Sequence, residues 1–388
     1  MQKTRLDSEE AAGLPDAPDR MPPGGESPAE VYSASQWQLM RRKFRKHKLA
    51  VWALQFMIVL YLIAMLCEFI APYPVDYRDA AHLYAPPQRL HVIDTEGHFH
   101  WPFVYGLIGK PHPVTREMLY RENPETRYPV RLFVRGRPYR FWGLFQIDWH
   151  LFGVEPGGTL FLLGTDSLGR DLLSRIVYGS RISLTIGLVG VGMSFILGLL
   201  IGVVSGYFGG WIDHFIQRFI EILRSFPTLP LWMALSAAVP ATWSPIKMYF
   251  GITLVLSLIG WGGLARQVRG KILSLREEDY VTAAAFAGAT RWRIMWRHLL
   301  PGFASHIIVS LTLAVPGMIL GETALSFLGL GLRPPAVSWG VLLKDAQNVQ
   351  SVALHPWLLT PVLFVILTVL SFNFVGDGLR DAADPYSR

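Results

Sequence analysis

Charge is segregated along this chain. From residue 49 onward, long runs with almost no charged side chain alternate with short charged connections. A helix crossing the hydrocarbon of a bilayer needs roughly 20 apolar residues. Six runs reach or approach that length: Leu49–Tyr73, Ile182–Trp211, Ser225–Ile246, Met248–Ala265, Leu299–Gly321 and Ser351–Gly376. The first carries one charge, Glu68, near its far end. The second is charge-free and rich in glycine (Gly187, Gly190, Gly192, Gly198, Gly202, Gly206), as close-packed membrane helices are. The third holds Pro227, Pro230, Pro240 and Pro245, which predicts a short or kinked helix, and Pro316 interrupts the fifth. The pattern predicts an all-α polytopic membrane protein with six transmembrane helices.

The polar stretches complete the organisation. Residues 1–40 are rich in Pro, Gly and acid and lack the basic start and apolar core of a signal peptide, so they are expected to be a disordered tail. Arg41, Arg42, Lys43, Arg45, Lys46 and Lys48 follow, immediately before the first span (41–73 with its basic lead). Such a cluster stays in the cytoplasm, and six spans then return the C-terminus to the same side. Residues 74–180 mix Pro, aromatic and charged residues and offer no spanning run. That length predicts a small extracytoplasmic subdomain, and loops above about 60 residues escape the positive-inside rule. Residues 181–388 form the remaining five-helix core. The loops test the topology independently: Arg266, Arg269, Lys271, Arg276, Arg291, Arg293 and Arg297 crowd one predicted inner loop, whereas the short outer loops hold only Lys247, Arg333 and Lys344.

Composition agrees with this reading. The 388 residues are 51% hydrophobic and 17% charged, where a soluble protein would carry about a quarter charged residues. The net charge of +7 belongs first to cytoplasmic loops; aromatics are not interleaved with the basic clusters in a nucleic-acid-reading pattern, and no nucleic-acid partner is expected. A single cysteine, Cys67, excludes an internal disulfide or thiolate metal cluster. His98 and His100, without other placed ligands, read as surface residues, and no metal or cofactor is expected.

The sharpest signal lies in the charged segment 266–302. It contains Thr282-Ala-Ala-Ala-Phe-Ala-Gly288 and, after nine residues, His298-Leu-Leu-Pro301. Ala283, Ala284, Ala287 and Gly288 stack in pairs on helix faces that another body could approach closely. Gly288 turns or weakens that helix, and Pro301 cannot lie deep in the next. The local expectation is a helix, a turn and a second basic helix outside the membrane: a docking surface for a separate motor subunit. An alanine-rich helix in an orientation-setting loop is the plain alternative.

With its spacing, the segment resembles the EAA loop of the inner-membrane permeases of ATP-binding-cassette importers, in the dipeptide/oligopeptide/nickel permease family. Further stretches resemble the same family: Leu163-Gly-Thr-Asp-Ser-Leu-Gly-Arg-Asp171, Gly206-Tyr-Phe-Gly-Gly-Trp-Ile-Asp213, Ser225-Phe-Pro227, Phe327-Leu-Gly-Leu-Gly331 with Ser338-Trp-Gly340, and Asp377-Gly-Leu-Arg-Asp381. The long 74–180 insert is similar to that of the long-insert oligopeptide branch. The resemblance implies a permease that forms half of a translocation pathway in the bacterial inner membrane. Its partners would be a second homologous permease, ATP-binding subunits, an extracytoplasmic solute-binding protein and the lipid bilayer. It also implies an ATPase-coupling role for Thr282, Ala283, Ala284, Gly288, Arg293, Arg297, His298, Leu300 and Pro301. The family's loop begins with Glu where this chain has Thr282, which supplies no carboxylate. No G-x-x-x-x-G-K-[ST] phosphate loop occurs, so ATP hydrolysis is expected on another polypeptide. The implied solute is a peptide, with nickel or an oligosaccharide as alternatives; no residue identifies the substrate contacts.

An ion-coupled secondary transporter is the competing class. It predicts charged groups at membrane depth. The candidates, Glu68 and Glu322, fall near the outer ends of their runs and are expected to reach interfacial water; His306 is expected to pack between helices. An intramembrane enzyme would need paired nucleophile and base, or metal ligands, at one depth, and none is evident.

Overall fold

The computed structural model describes residues 36–113, 118–240 and 242–383. Most of the expected tail lies outside these residues, and its last five, 36–40, already belong to helix α1 (Gln36–Lys46). The His47 side chain then caps α2 (Lys48–Met65), its Nδ1 accepting from Ala50 N at 3.1 Å. A short α3 (Cys67–Ile70) follows.

The insert is built of strands. β1 (His91–Ile93), β2 (Phe99–Pro111) and β3 (Met118–Pro129) form one antiparallel sheet in that order, and β4 (Arg131–Phe141) pairs with β5 (Phe145–Gly153) as a hairpin. The all-α expectation therefore holds for the membrane body, and the insert adds β structure to it. Pro111 and Pro129 stand at strand ends, where a missing N–H costs no ladder bond.

α4 (Leu172–Phe208) starts at the Asp171 cap, whose carboxylate accepts from Ser174 N at 2.7 Å. It ends at Gly209, which takes a positive φ of 61° before α5 (Gly210–Ser225). The third apolar run does not form a spanning helix. It folds into α6 (Thr228–Ala237), ten residues long, which rises ~15 Å against a hydrocarbon thickness of ~30 Å. Pro227 and Pro230 lie where a first turn needs no N–H donors, and Pro240 follows the last turn, so proline sets the start and bars extension. Five helical runs are long and apolar enough to cross a membrane: α2, α4, α7 (Pro245–Leu275), Arg291–Phe327 and Pro356–Ala383. Of the six runs expected, five form helices long enough to cross and the third forms only the short apolar α6 among the described residues.

α4 and α7 form the axis of the bundle, and glycine makes their contact. A Cβ on Gly198, Gly202 or Gly206 would sit 2.9 Å from Trp261 O, 2.6 Å from Ala265 O and 2.9 Å from Arg269 O. Four-residue spacing places the three on one face, so the backbones themselves touch. The main core joins α2, α4 and α7 to α10 (Ala304–Phe327), α11 (Trp339–Leu343) and α13 (Thr360–Ala383). Trp339 is fully buried there, its Nε1 donating to Ile176 O at 3.1 Å and its N to Ser183 Oγ at 3.0 Å.

The strands sit at the end of the bundle where α4 begins. A strap over residues 163–171 holds them to it. Buried Asp166 accepts from Leu168 N, Arg170 N, Arg170 Nε and Arg175 Nη1, and Trp357 Nε1 donates to Thr165 O at 3.0 Å. The segment after α7 lies at the opposite end.

Candidate functional site

α7 leaves the bundle at Leu275, and α8 (Asp279–Phe286) follows. Its end is a glycine stop: Gly288 has φ 80°, Gly288 N donates to Ala285 O at 3.0 Å and Ala289 N to Ala284 O at 3.0 Å. These paired bonds satisfy carbonyls that the helix end would leave open, and a positive φ is cheap for glycine alone. Thr290 caps the next turn through Arg293 N.

The second half differs from the separate basic helix expected. α9 (Arg291–Arg293) continues through a wide π turn (Ile294–Leu299) and a narrow 3-10 turn (Leu300–Phe303) directly into α10. Pro301 sits in the first positions of the narrow turn. Its absent N–H is absorbed by changing the helical pitch, with Leu300 N reaching Met295 O, and the chain does not break.

A second core anchors this segment. Val281, Ile294, Met295, Leu299 and Phe303 pack with Leu199, Val203, Val268 and Ile272 at the ends of α4 and α7, and Ala284, Ala289 and Leu300 close its edge. Ala284 and Leu300 therefore face inward, whereas Thr282, Ala283, Gly288, Arg293, Arg297 and Pro301 are exposed and His298 is half-buried. Neither Arg293 nor Arg297 meets an acidic side chain among the described residues. Thr282 Oγ1 turns back to Glu278 O at 3.5 Å. Glu277, upstream of it, lies against Arg276 at 3.5 Å.

Sequence reasoning missed the aromatics of this surface. Phe286 is 89% exposed at the tip of α8, and Trp292 and Trp296 are exposed on the following turns. Aromatic and arginine side chains standing free together are the composition of the central part of protein interfaces. The available signal was an aromatic inside an otherwise small-residue motif.

Beside the segment, Arg269 of α7 forks onto Asp213 of α5, with Nε to Oδ1 and Nη2 to Oδ2 both at 2.5 Å. Ser205 of α4 donates to the same carboxylate at 2.5 Å. The Arg269 guanidinium holds Asp213 below the usual carboxylate range.

The ionisable groups at the other end are placed differently from expectation. Glu322 does not reach water: it is 0% exposed, and its Oε1 accepts from Ser326 at 2.7 Å and Ser338 at 2.6 Å. Glu68 is also buried, bridged by Arg181 Nη1 and Nη2 at 2.5 Å each. His306 is exposed and not packed between helices. In the insert, the carboxylates of Asp94 and Glu96 and the His98 ring converge within 4.8 Å. Asp94 is already occupied: Oδ1 accepts from Glu96 N and His98 N, and Oδ2 meets His100 at 2.9 Å and Arg127 at 2.8 Å.

A cavity of about 400 Å³ opens between α4, α6, α7 and α10. Its wall is apolar apart from Ser194, Gln267, Ser310 and Trp232, whose buried Nε1 has no partner among the described residues.

Residues 198–388 match the family described as binding-protein-dependent transport system inner membrane component. Residues 35–87 match the N-terminal TM domain of oligopeptide transport permease C. The chain is 41% identical over 262 residues to the oligopeptide transport system permease protein OppC of Haemophilus influenzae, covering 67% of this chain and 82% of that protein. It is 41% identical over 226 residues to the dipeptide transport system permease protein DppC of Bacillus subtilis, covering 58% and 68%. Among solved structures, the MetNI methionine ABC transporter in an inward-facing conformation aligns with 54% of this chain and 97% of that chain, at 18% identity and a TM-score of 0.43. The chain therefore belongs to the family of binding-protein-dependent transport system inner membrane components, and is a multi-pass permease subunit of an ATP-binding-cassette importer in the bacterial inner membrane.

Proposed function

We propose that the chain forms one half of a translocation pathway for oligopeptides, paired with a second, homologous permease and driven by separate ATP-binding subunits that dock on residues 276–302. The observation that carries this reading is the construction of that segment. Its inner face is fixed in a core shared by α4 and α7, and its outer face offers Phe286, Trp292, Arg293 and Arg297 to a partner. A push on the outer face is transmitted through Val281 and Met295 to both axial helices, because a packed core moves as a body. Thr282, Ala283 and Gly288 give that face its low relief, so a cleft in the partner can close on backbone. His298, Leu300 and Pro301 set the pitch change by which the segment enters α10.

In this arrangement the N-terminus and the segment 266–302 are cytoplasmic, and the 74–180 insert is extracytoplasmic, where a solute-binding protein delivers its cargo. The cavity lined by Trp232, Gln267 and Ser310 supplies polar contacts along an otherwise apolar path, as a peptide backbone requires. The partner ATPases shift the inward–outward equilibrium only by the difference in their contacts with the two states.

The test is the Arg293→Glu, Arg297→Glu double variant in the assembled transporter. It should insert normally yet lose both copurification with the ATP-binding subunits and transport-coupled ATP turnover. Retention of both at wild-type levels overturns the docking assignment. Peptide specificity is read separately, by uptake of labelled peptides of defined length into proteoliposomes.

A further inference from the structure

We propose that the turn of the β4–β5 hairpin is a membrane-interface anchor, seated at the headgroup level of the leaflet on the insert's side. The turn is Phe141-Trp-Gly-Leu-Phe145, closed by the pairing of Phe141 with Phe145 and by Leu144 N donating to Phe141 O at 2.9 Å. Water-exposed turns are built from Gly, Asn, Asp, Ser and Pro, because those residues satisfy turn geometry at no cost in exposed apolar surface. Here Leu144 is 76% exposed and Phe145 65% exposed, with no protein group over them among the described residues.

Two contacts fix the depth of the turn independently. Trp142 Nε1 donates to Met65 O at 3.1 Å. Met65 is the last residue of α2, whose 18 residues rise ~27 Å and so nearly match the hydrocarbon layer. On the other side, the Arg181 guanidinium lies 4.4 Å from the centre of the Trp142 ring while binding Glu68. Arg181 is the last charge of α4 before the charge-free run that reaches Trp211. The end of one span and the start of the next thus mark the same level, and Trp142 stands on it. Tryptophan at that level is the usual occupant of the bilayer interface, with the ring in the apolar boundary and the N–H bonded.

The surface below the turn is continuous with it. Ile58, Leu62 and Leu66 of α2 and its end are exposed on the bundle and lead up to the hairpin. Beside the turn, Arg140 is exposed, where a lipid phosphate would lie. The occupant that fits an aromatic tip, an adjacent arginine and this depth is the lipid interface. Coverage by the paired permease subunit is the competing arrangement.

Spin labelling of the full chain, assembled with its partner subunits in phosphatidylcholine–phosphatidylglycerol vesicles, separates the two. In a Cys67→Ser background, a nitroxide at Leu144→Cys should collide freely with molecular oxygen. It should be protected from a water-soluble nickel chelate by at least ~5-fold relative to a nitroxide at Glu125→Cys in exposed β3. Chelate accessibility equal to that at Glu125 would mean a turn in water and would overturn the proposal. Protection from both reagents would mean coverage by protein and would also overturn it. Phe145→Cys provides a second reading at the same level.

Discussion

Asp213 and Arg269 join three helices through one carboxylate. Arg269 approaches from α7 with two parallel bonds at 2.5 Å, Ser205 from α4, and the acid itself stands in the first turn of α5. The pair lies where α4 and α7 are pressed together by glycine and next to the core that carries the 276–303 segment. Planar, bidentate recognition of this kind fixes orientation as well as distance.

Arg269→Lys should therefore destabilise the protein by about 2 kcal/mol, since a point charge replaces a fork bonded to a charged partner. The pH dependence has a definite sign. Asp213 is held below its unfolded value of about 3.9. Its contribution is present above that value and disappears as the pH falls below it. The melting temperature of the detergent-solubilised protein should fall less between pH 5 and pH 3 in Asp213→Asn than in the wild type.

Gly202→Leu should prevent α4 from seating on α7. Even a Cβ at this position would lie 2.6 Å from Ala265 O, a backbone atom that cannot rotate away. The expected cost exceeds the ~3 kcal/mol typical of severe overpacking, read as loss of monodisperse protein after extraction. Gly192→Leu, where a Cβ meets nothing within 4 Å, should be tolerated in the same assay.

Phe286→Ala separates docking from folding. The side chain is almost entirely exposed, so stability should change by less than about 0.5 kcal/mol. If the partner closes on it as a central anchor, affinity for the ATP-binding subunits should drop by roughly 30-fold, the equivalent of ~2 kcal/mol. Titration of purified subunits gives the answer, and Gly288→Asn offers a companion: asparagine tolerates positive φ, so it should disturb docking less than Gly288→Val.

Asp171 should make the fold less stable as the pH rises. Burial pushes its carboxyl up to about 7, well above the unfolded value. The folded state prefers the protonated form, so stability declines from about pH 4 and the decline is complete above about 7. Asp171→Asn keeps an acceptor for Ser174 N and should flatten that part of the melting curve.

Legibility divides along physical lines. The spans and the helix–turn at Gly288 rest on local terms: apolar run length and the φ preference of glycine; the missing N–H of Pro301 marked a helix boundary, but the continuous change of pitch through it into α10 was not foreseen. The four prolines between residues 225 and 246 announced a short or kinked helix, yet apolar length alone gave a sixth span; proline at both ends of α6 prevailed. The strands of the insert were not readable, because its aromatic and charged residues follow no clean alternation and its partly exposed sheets bury only patches such as Phe103–Tyr105.

The sequence by itself determined a polytopic membrane protein with a basic segment between two spans, since hydrophobic length and charge segregation are properties of contiguous residues; that it is a permease came from the resemblance of its motifs to a family. Only the tertiary structure decided which charges are buried and paired. Glu68 and Arg181 are 113 residues apart and meet at 2.5 Å; Glu322 is sealed by Ser338, and Trp142 is set beside Met65 across 77 residues. A buried charge is stable only with a partner, and which partner arrives is set by how the helices pack, which no local pattern records.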